Sequence, residues 1–137
     1  EGSGPVQFKI GDLEFDYLNL SLKYNNELLR LQLTQREADI LRYLCINSER
    51  LIRREELLMK IWGRNDYFLG RSMDVFIGRL RKYLKTQKNV SIETVKGIGL
   101  KFHYSENSCR TVKDEKTLEE AYYFQVFNND ELIDDQP

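Results

Sequence analysis

Between Arg71 and Leu84 the sequence RSMDVFIGRLRKYL sets long cations at Arg71, Arg79 and Lys82 among Ser72, Val75 and Tyr83. At about 100° per residue these positions share one side of a helix, and that side carries almost no counter-charge. Met73, Ile77, Leu80 and Leu84 fall on the other side, within an arc of roughly 60°. A cationic face of this kind can neutralise phosphates. A single helix also fits the major groove of B-DNA, where Arg meets guanine and Ser or Val meets other base edges. A further cation, Lys96, stands in the run KGIG, a suitable hairpin tip for pushing charge into a minor groove. The plain alternative for the helix is a solvated basic surface with nothing bound.

Other chemistry finds little support. The chain has 137 residues and one histidine, His103, which excludes a Ser-His-Asp triad or a multi-histidine zinc site built by this chain alone. His103 therefore reads as structural. There is no Gly-rich phosphate loop, no nucleophile–base pair and no metal cluster, so neither enzyme activity, cofactor nor metal is expected. Cys45 and Cys109 give no disulfide framework; Cys45 sits on the apolar side of a helix and suits a reducing cytoplasm. No apolar run approaches the roughly 18 residues of a membrane span. The net charge of −1 hides an asymmetry. Residues 1–104 hold 18 Lys+Arg against 13 Asp+Glu, whereas 105–137 hold 3 against 9. The body is basic and the tail acidic.

The elements that must position the cations can be read in order. Residues 1–5, EGSGP, resemble a linker or expression remnant, and the chain reads as a piece of a longer protein. Residues 6–32 alternate in short runs broken at Gly11-Asp12, Leu18-Asn19 and Asn25-Asn26, which predicts a four-stranded antiparallel meander. Its packed face would hold Phe8, Ile10, Leu13, Phe15, Leu20, Leu22, Leu29 and Leu31. Thr34-Gln35-Arg36-Glu37 is a capping box opening a helix to about Asn47, with Ala38, Leu41, Leu44 and Cys45 inside. Leu51-Ile52 suits a very short strand. A second helix over Arg54–Trp62 stops at Gly63. The segment RNDYFLG at 64–70 is expected as a loop, with Tyr67 and Phe68 as a contact surface. The helix at 71–84 follows, then a hairpin from Val90 to Tyr104. The fold class is thus α+β: a winged helix-turn-helix with an N-terminal four-stranded antiparallel sheet, three helices and a C-terminal β-hairpin wing.

Four runs resemble the DNA-binding effector domain of OmpR/PhoB-type two-component response regulators: LTQREADILRYL, RREELLMKIWG, RSMDVFIGRLRKYL and ETVKGIGLKF. With the meander they cover nearly all of 6–104. The resemblance implies that 71–84 is the recognition helix, with Arg71, Ser72, Val75 and Arg79 at positions that meet bases or adjacent phosphates. Trp62, Arg81 and Lys82 match positions at or near the DNA backbone. Lys96 matches the wing cation of the minor groove, and Lys101 is grouped with these. The loop bearing Asn65, Asp66, Tyr67 and Phe68 matches a segment that contacts RNA polymerase. The resemblance further implies a receiver domain answering to a histidine kinase, and dimers on tandem direct repeats of double-stranded DNA, with the isolated domain monomeric. Departures are Phe76 for a common His, Leu100 for a common Tyr, Arg53 at a usual Ser/Thr cap, Lys96 for Arg, and Gly78 for a larger, often basic, residue. Gly in mid-helix costs about 1 kcal/mol against Ala. The tail at 105–137 lies outside the resemblance and reads as a largely disordered acidic segment, with a second capping box at Thr117–Glu120. Other classes that fit the residues are a winged-helix protein-interaction module and the effector of a one-component or membrane-anchored activator.

Overall fold

The computed structural model describes residues 4–24 and 29–104. The Asn25-Asn26 turn, the Leu29 side chain and the whole tail lie outside the described residues.

Four strands open the chain: β1 (Gln7–Ile10), β2 (Leu13–Asp16), β3 (Ser21–Tyr24) and β4 (Leu29–Gln32). They pair antiparallel in that order, with Phe8 opposite Phe15 and Phe15 opposite Leu22. Alternation places Phe8, Ile10, Leu13, Phe15, Leu22, Tyr24 and Leu31 in the core. Tyr24 joins the expected set. Leu20 sits only partly buried, in a turn at φ 53°. On the outer face the registers align Lys9, Glu14, Lys23 and Arg30 across the sheet.

Helix α1 (Gln35–Ile46) starts with the full capping box. The Glu37 amide donates to Thr34 Oγ1 (3.2 Å), and the Thr34 amide donates to the Glu37 carboxylate (2.9 Å). The expected inner residues are buried, and so are Ile40 and Glu37. The stripe is wider than the periodicity suggested because α1 contacts α2, α3 and the C-terminal hairpin. Strand β5 (Leu51–Arg53) leads directly into α2 (Arg54–Trp62). No side chain caps α2 at Arg53, and Gly63 ends it at φ 79°.

Helix α3 runs from Tyr67 to Tyr83, four residues earlier than the expected start at Arg71. The cause is Asp66, whose carboxylate accepts from the amides of Phe68 (2.8 Å) and Leu69 (3.3 Å). The expected loop at 64–70 is therefore a short connection, a cap and a first helical turn.

The hairpin β6 (Ser91–Val95) and β7 (Gly99–His103) pairs with β5 in the order β5-β7-β6. One apolar core joins both sheets and all three helices. At the hairpin base, His103 meets Glu49 through Nδ1 (3.0 Å) and Glu93 through Nε2 (2.7 Å). A neutral imidazole can donate from one nitrogen only, so two carboxylates on opposite nitrogens favour the imidazolium. Glu93, then Glu49, hold its pKa above the ordinary value. The stabilisation is fully present below the unfolded value of about 6.5 and is lost as pH rises through the higher folded value. The melting-temperature gap between the parent chain and His103→Ala should therefore be widest near pH 6 and narrow towards pH 9. A flat gap in thermal melts would show that the folded ring is neutral.

Candidate nucleic-acid interface

Seventeen residues make α3 long enough to present one continuous outer ridge. Arg71, Val75, Gly78 and Lys82 follow at i, i+4, i+7 and i+11, a single row on a helix. Arg71 and Gly78 are exposed, Lys82 is half-buried, and Val75 is 47% exposed. Ser72 lies half-buried beside them. Arg71 is also 3.5 Å from the Tyr67 hydroxyl one turn earlier.

Beside the ridge stands the carboxylate of Asp74. Arg54, the first residue of α2, meets it with both terminal nitrogens, at 2.8 and 3.1 Å. One of those nitrogens also donates to the Gly70 carbonyl (2.9 Å). This fork fixes the start of α2 against α3 and answers the acidic charge locally. The sequence offered little sign of it, since the partners stand 20 residues apart.

Arg79 does not join this ridge, which corrects its assignment to base reading. It is 5% exposed, and its Nη1 lies 4.0 Å from the Glu37 carboxylate, itself fully buried. The Tyr83 hydroxyl donates to the same carboxylate (3.4 Å). Burial pushes the Glu37 pKa up, while the Thr34 amide and Arg79 draw it back. At about 100° per residue Arg79 sits about 80° round from Arg71, on the flank that α1 covers. Tyr83, expected on the outer side, is buried there too. Phe76 is also interior and packs on Trp62 at 6.1 Å between centroids. Burial thus extends well beyond the narrow stripe of Met73, Ile77, Leu80 and Leu84.

Trp62 is half-buried, with the Arg36 guanidinium 5.2 Å from its ring centroid. Its Nε1 is solvent-inaccessible, so the indole N–H is not presented to a phosphate. Arg81 is exposed, yet its guanidinium is engaged by the wing: Nε donates to the Ile92 carbonyl (3.1 Å) and Nη2 to Thr94 Oγ1 (2.5 Å). Arg81 thereby sets the hairpin against α3.

The wing tip carries Lys96 exposed, followed by Gly97 at φ 79°. The tip closes through Ile98 N–H to Val95 O (2.9 Å), and the Arg54 amide donates to the Ile98 carbonyl (3.1 Å). The wing is therefore tied both to α2, by its backbone, and to α3, through Arg81. Lys101 is half-buried, paired in register with Glu93 and Leu51. Ahead of the ridge, Tyr67 and Phe68 are 71% and 74% exposed, their rings edge-to-face at 5.5 Å. Asn65 is exposed, while Asp66 is occupied as the cap. The capping role of Asp66 and the fork made by Arg54 were missed in the sequence; an Asp just before the first apolar turn was the available signal for the cap.

No group of three metal-ligating side chains occurs among the described residues, and no helix there is long and apolar enough to cross a membrane.

The family described as "Transcriptional regulatory protein, C terminal" matches residues 27–102. The transcriptional regulatory protein RprY of Bacteroides fragilis is 35% identical over 94 residues, which span 69% of this chain and 39% of that protein. The response regulator ArlR of Staphylococcus epidermidis is 41% identical over 71 residues, 51% of this chain and 32% of that one. The chain thus spans less than half the length of these curated relatives. Among solved structures, the DNA-binding domain of Klebsiella pneumoniae RstA, in complex with the RstA box, is 28% identical with a TM-score of 0.58. That similarity covers 71% of this chain and 96% of the RstA domain. DrrB of Thermotoga maritima, described as an OmpR/PhoB homolog, is 27% identical with a TM-score of 0.58, over 72% of this chain and 44% of DrrB.

Proposed function

The chain belongs to the C-terminal transcriptional regulatory domains of OmpR/PhoB-type response regulators, and from that premise we propose that it binds double-stranded DNA sequence-specifically and regulates transcription as the output domain of a two-component system. The observation that carries the reading is the ridge of α3. Arg71, Val75 and Lys82 stand in one row, with the adjacent Asp74 held by Arg54 and the Lys96 wing fixed alongside. Arg71, Ser72 and Val75 serve base reading in the major groove, and Lys82 the backbone. Lys96 enters the minor groove. Arg81 acts on the interface by holding the wing.

Tyr67 and Phe68, displayed on the first turn of α3, form the contact for RNA polymerase. The domain works in the cytoplasm, behind a receiver that answers to a histidine kinase, and pairs on tandem direct repeats. The exposed aromatic pair also favours a second reading, a protein-interaction module without DNA.

Salt-dependent duplex binding separates the two. With the whole chain, the logarithm of the binding constant should fall linearly with the logarithm of salt concentration. Arg71→Ala should cost about 1–3 kcal/mol on a selected duplex and less on random DNA. Lys82→Ala should weaken both alike and reduce the salt slope by about 1. Absence of salt-dependent binding to any duplex would leave the protein-interaction reading in possession.

A further inference from the structure

Helix α3 carries a glycine at the middle of its outer ridge, and nothing among the described residues requires it. Among the described glycines, Gly4, Gly11, Gly63 and Gly97 have positive φ. A Cβ on Gly70 would meet Arg54, and one on Gly99 would meet the Ile52 carbonyl. Gly78 alone has neither reason. Its backbone is helical, and a Cβ there would meet nothing within 4 Å. Glycine inside a helix weakens it relative to alanine, through backbone entropy and exposed peptide groups. That loss finds no return among the described residues.

Its place on the surface suggests where the return lies. Gly78 sits between Val75 and Lys82 on the ridge that begins at Arg71. The missing side chain leaves a shallow notch floored by helix backbone, with an apolar side chain on one side and a cation on the other. A residue of ordinary length there would hold any flat partner away from the helix. It would also stop Arg71 and Lys82 from reaching that partner together.

We infer that Gly78 is a specificity-determining residue: the notch admits a base edge of the major groove into contact with the α3 backbone. This rests on the DNA-binding reading above. Val75 beside the notch makes the favoured edge an apolar one, such as that carrying the thymine methyl. A side chain at 78 would act by exclusion, because its Cβ adds bulk where no described atom needs to move.

The test uses the whole chain, a duplex selected by it from a random pool, and an unrelated duplex. Gly78→Ala and Gly78→Leu should both melt at or above the parent temperature, since both residues form helix better. Affinity for the selected duplex should fall about tenfold for Gly78→Ala, the scale of one mismatched base pair, and further for Gly78→Leu. Affinity for the unrelated duplex should stay within about twofold, because that term is phosphate neutralisation. Equal or tighter binding of the selected duplex by Gly78→Ala would overturn the inference, as would equal losses on both duplexes. If the parent chain selects no duplex, the DNA-binding reading itself is wrong and the notch has no role.

Discussion

Arg79→Ala should lower the stability of this domain by about 3–5 kcal/mol, with loss of fold preceding any change in DNA preference. Glu37 is fully buried and Arg79 is 5% exposed, so truncating the arginine leaves a carboxylate sealed from water beside an empty volume. The same carboxylate closes the capping box of α1, so the helix start is exposed to the damage as well. Domains of this size have total stabilities of about 5–15 kcal/mol, and the loss is a large share of that. The remaining carboxyl can reduce the cost by binding a proton. Its folded pKa is already raised by burial, and losing the cation raises it further. Its raised value favours the protonated form in the fold, so the deficit should be smallest at pH below the parent's raised value and grow as pH rises from there towards the variant's still higher one. Denaturant titrations at pH 4 and pH 7 measure this directly. Arg79→Met combined with Glu37→Gln should recover much of the loss, since glutamine keeps the cap and removes the buried charge. If Arg79→Ala instead melted with the parent and relaxed sequence preference, Arg79 would return to the reading face.

The second large effect belongs to Gly99→Ala. A Cβ at this position would lie 2.0 Å from the Ile52 carbonyl oxygen and 2.9 Å from Arg53 Cα. These are backbone atoms, so no rotamer change relieves the clash. Relief requires β7 to part from β5, where Gly99 pairs with Arg53. The hydrogen bond from the Arg54 amide to Ile98 would go with it, and the wing would lose its anchor on α2. Overpacking of this kind costs about 1–3 kcal/mol and sometimes more. Duplex binding should fall at least as far as in Lys96→Ala, because the whole tip is displaced. Gly97→Ala is the control. Its φ of 79° disfavours any side chain, at about 1–2 kcal/mol, but its Cβ would meet nothing within 4 Å. Equal effects of the two substitutions on melting temperature and on duplex binding would show that backbone crowding at β5 does not hold the wing.

Much of this could be read along the chain. The Thr34 capping box, the stop at Gly63, the meander and the Lys96 tip each follow from residues a few positions apart. Local hydrogen bonds and period-two alternation decide such features, and no distant partner can reverse them easily. The start of α3 was also local, in the Asp66 carboxylate, but RNDYFLG resembles a loop until one asks which side chain satisfies the first free amides.

Arg79 was different in kind. Helical projection put it on the cationic side with Arg71 and Lys82, and that angle was right as far as one helix goes. Whether the flank meets water or protein depended on α1, whose Glu37 is 42 positions earlier in the sequence. The same holds for Tyr83, Arg54 with Asp74, and Arg81 with the wing. Each pairs groups brought together only when separate elements pack. The sequence by itself determined the elements, their order and the presence of a cationic helix beside a cationic hairpin. Tertiary structure alone decided which of those cations face outward, because burial belongs to the packing of helices against one another and not to the periodicity of any one of them.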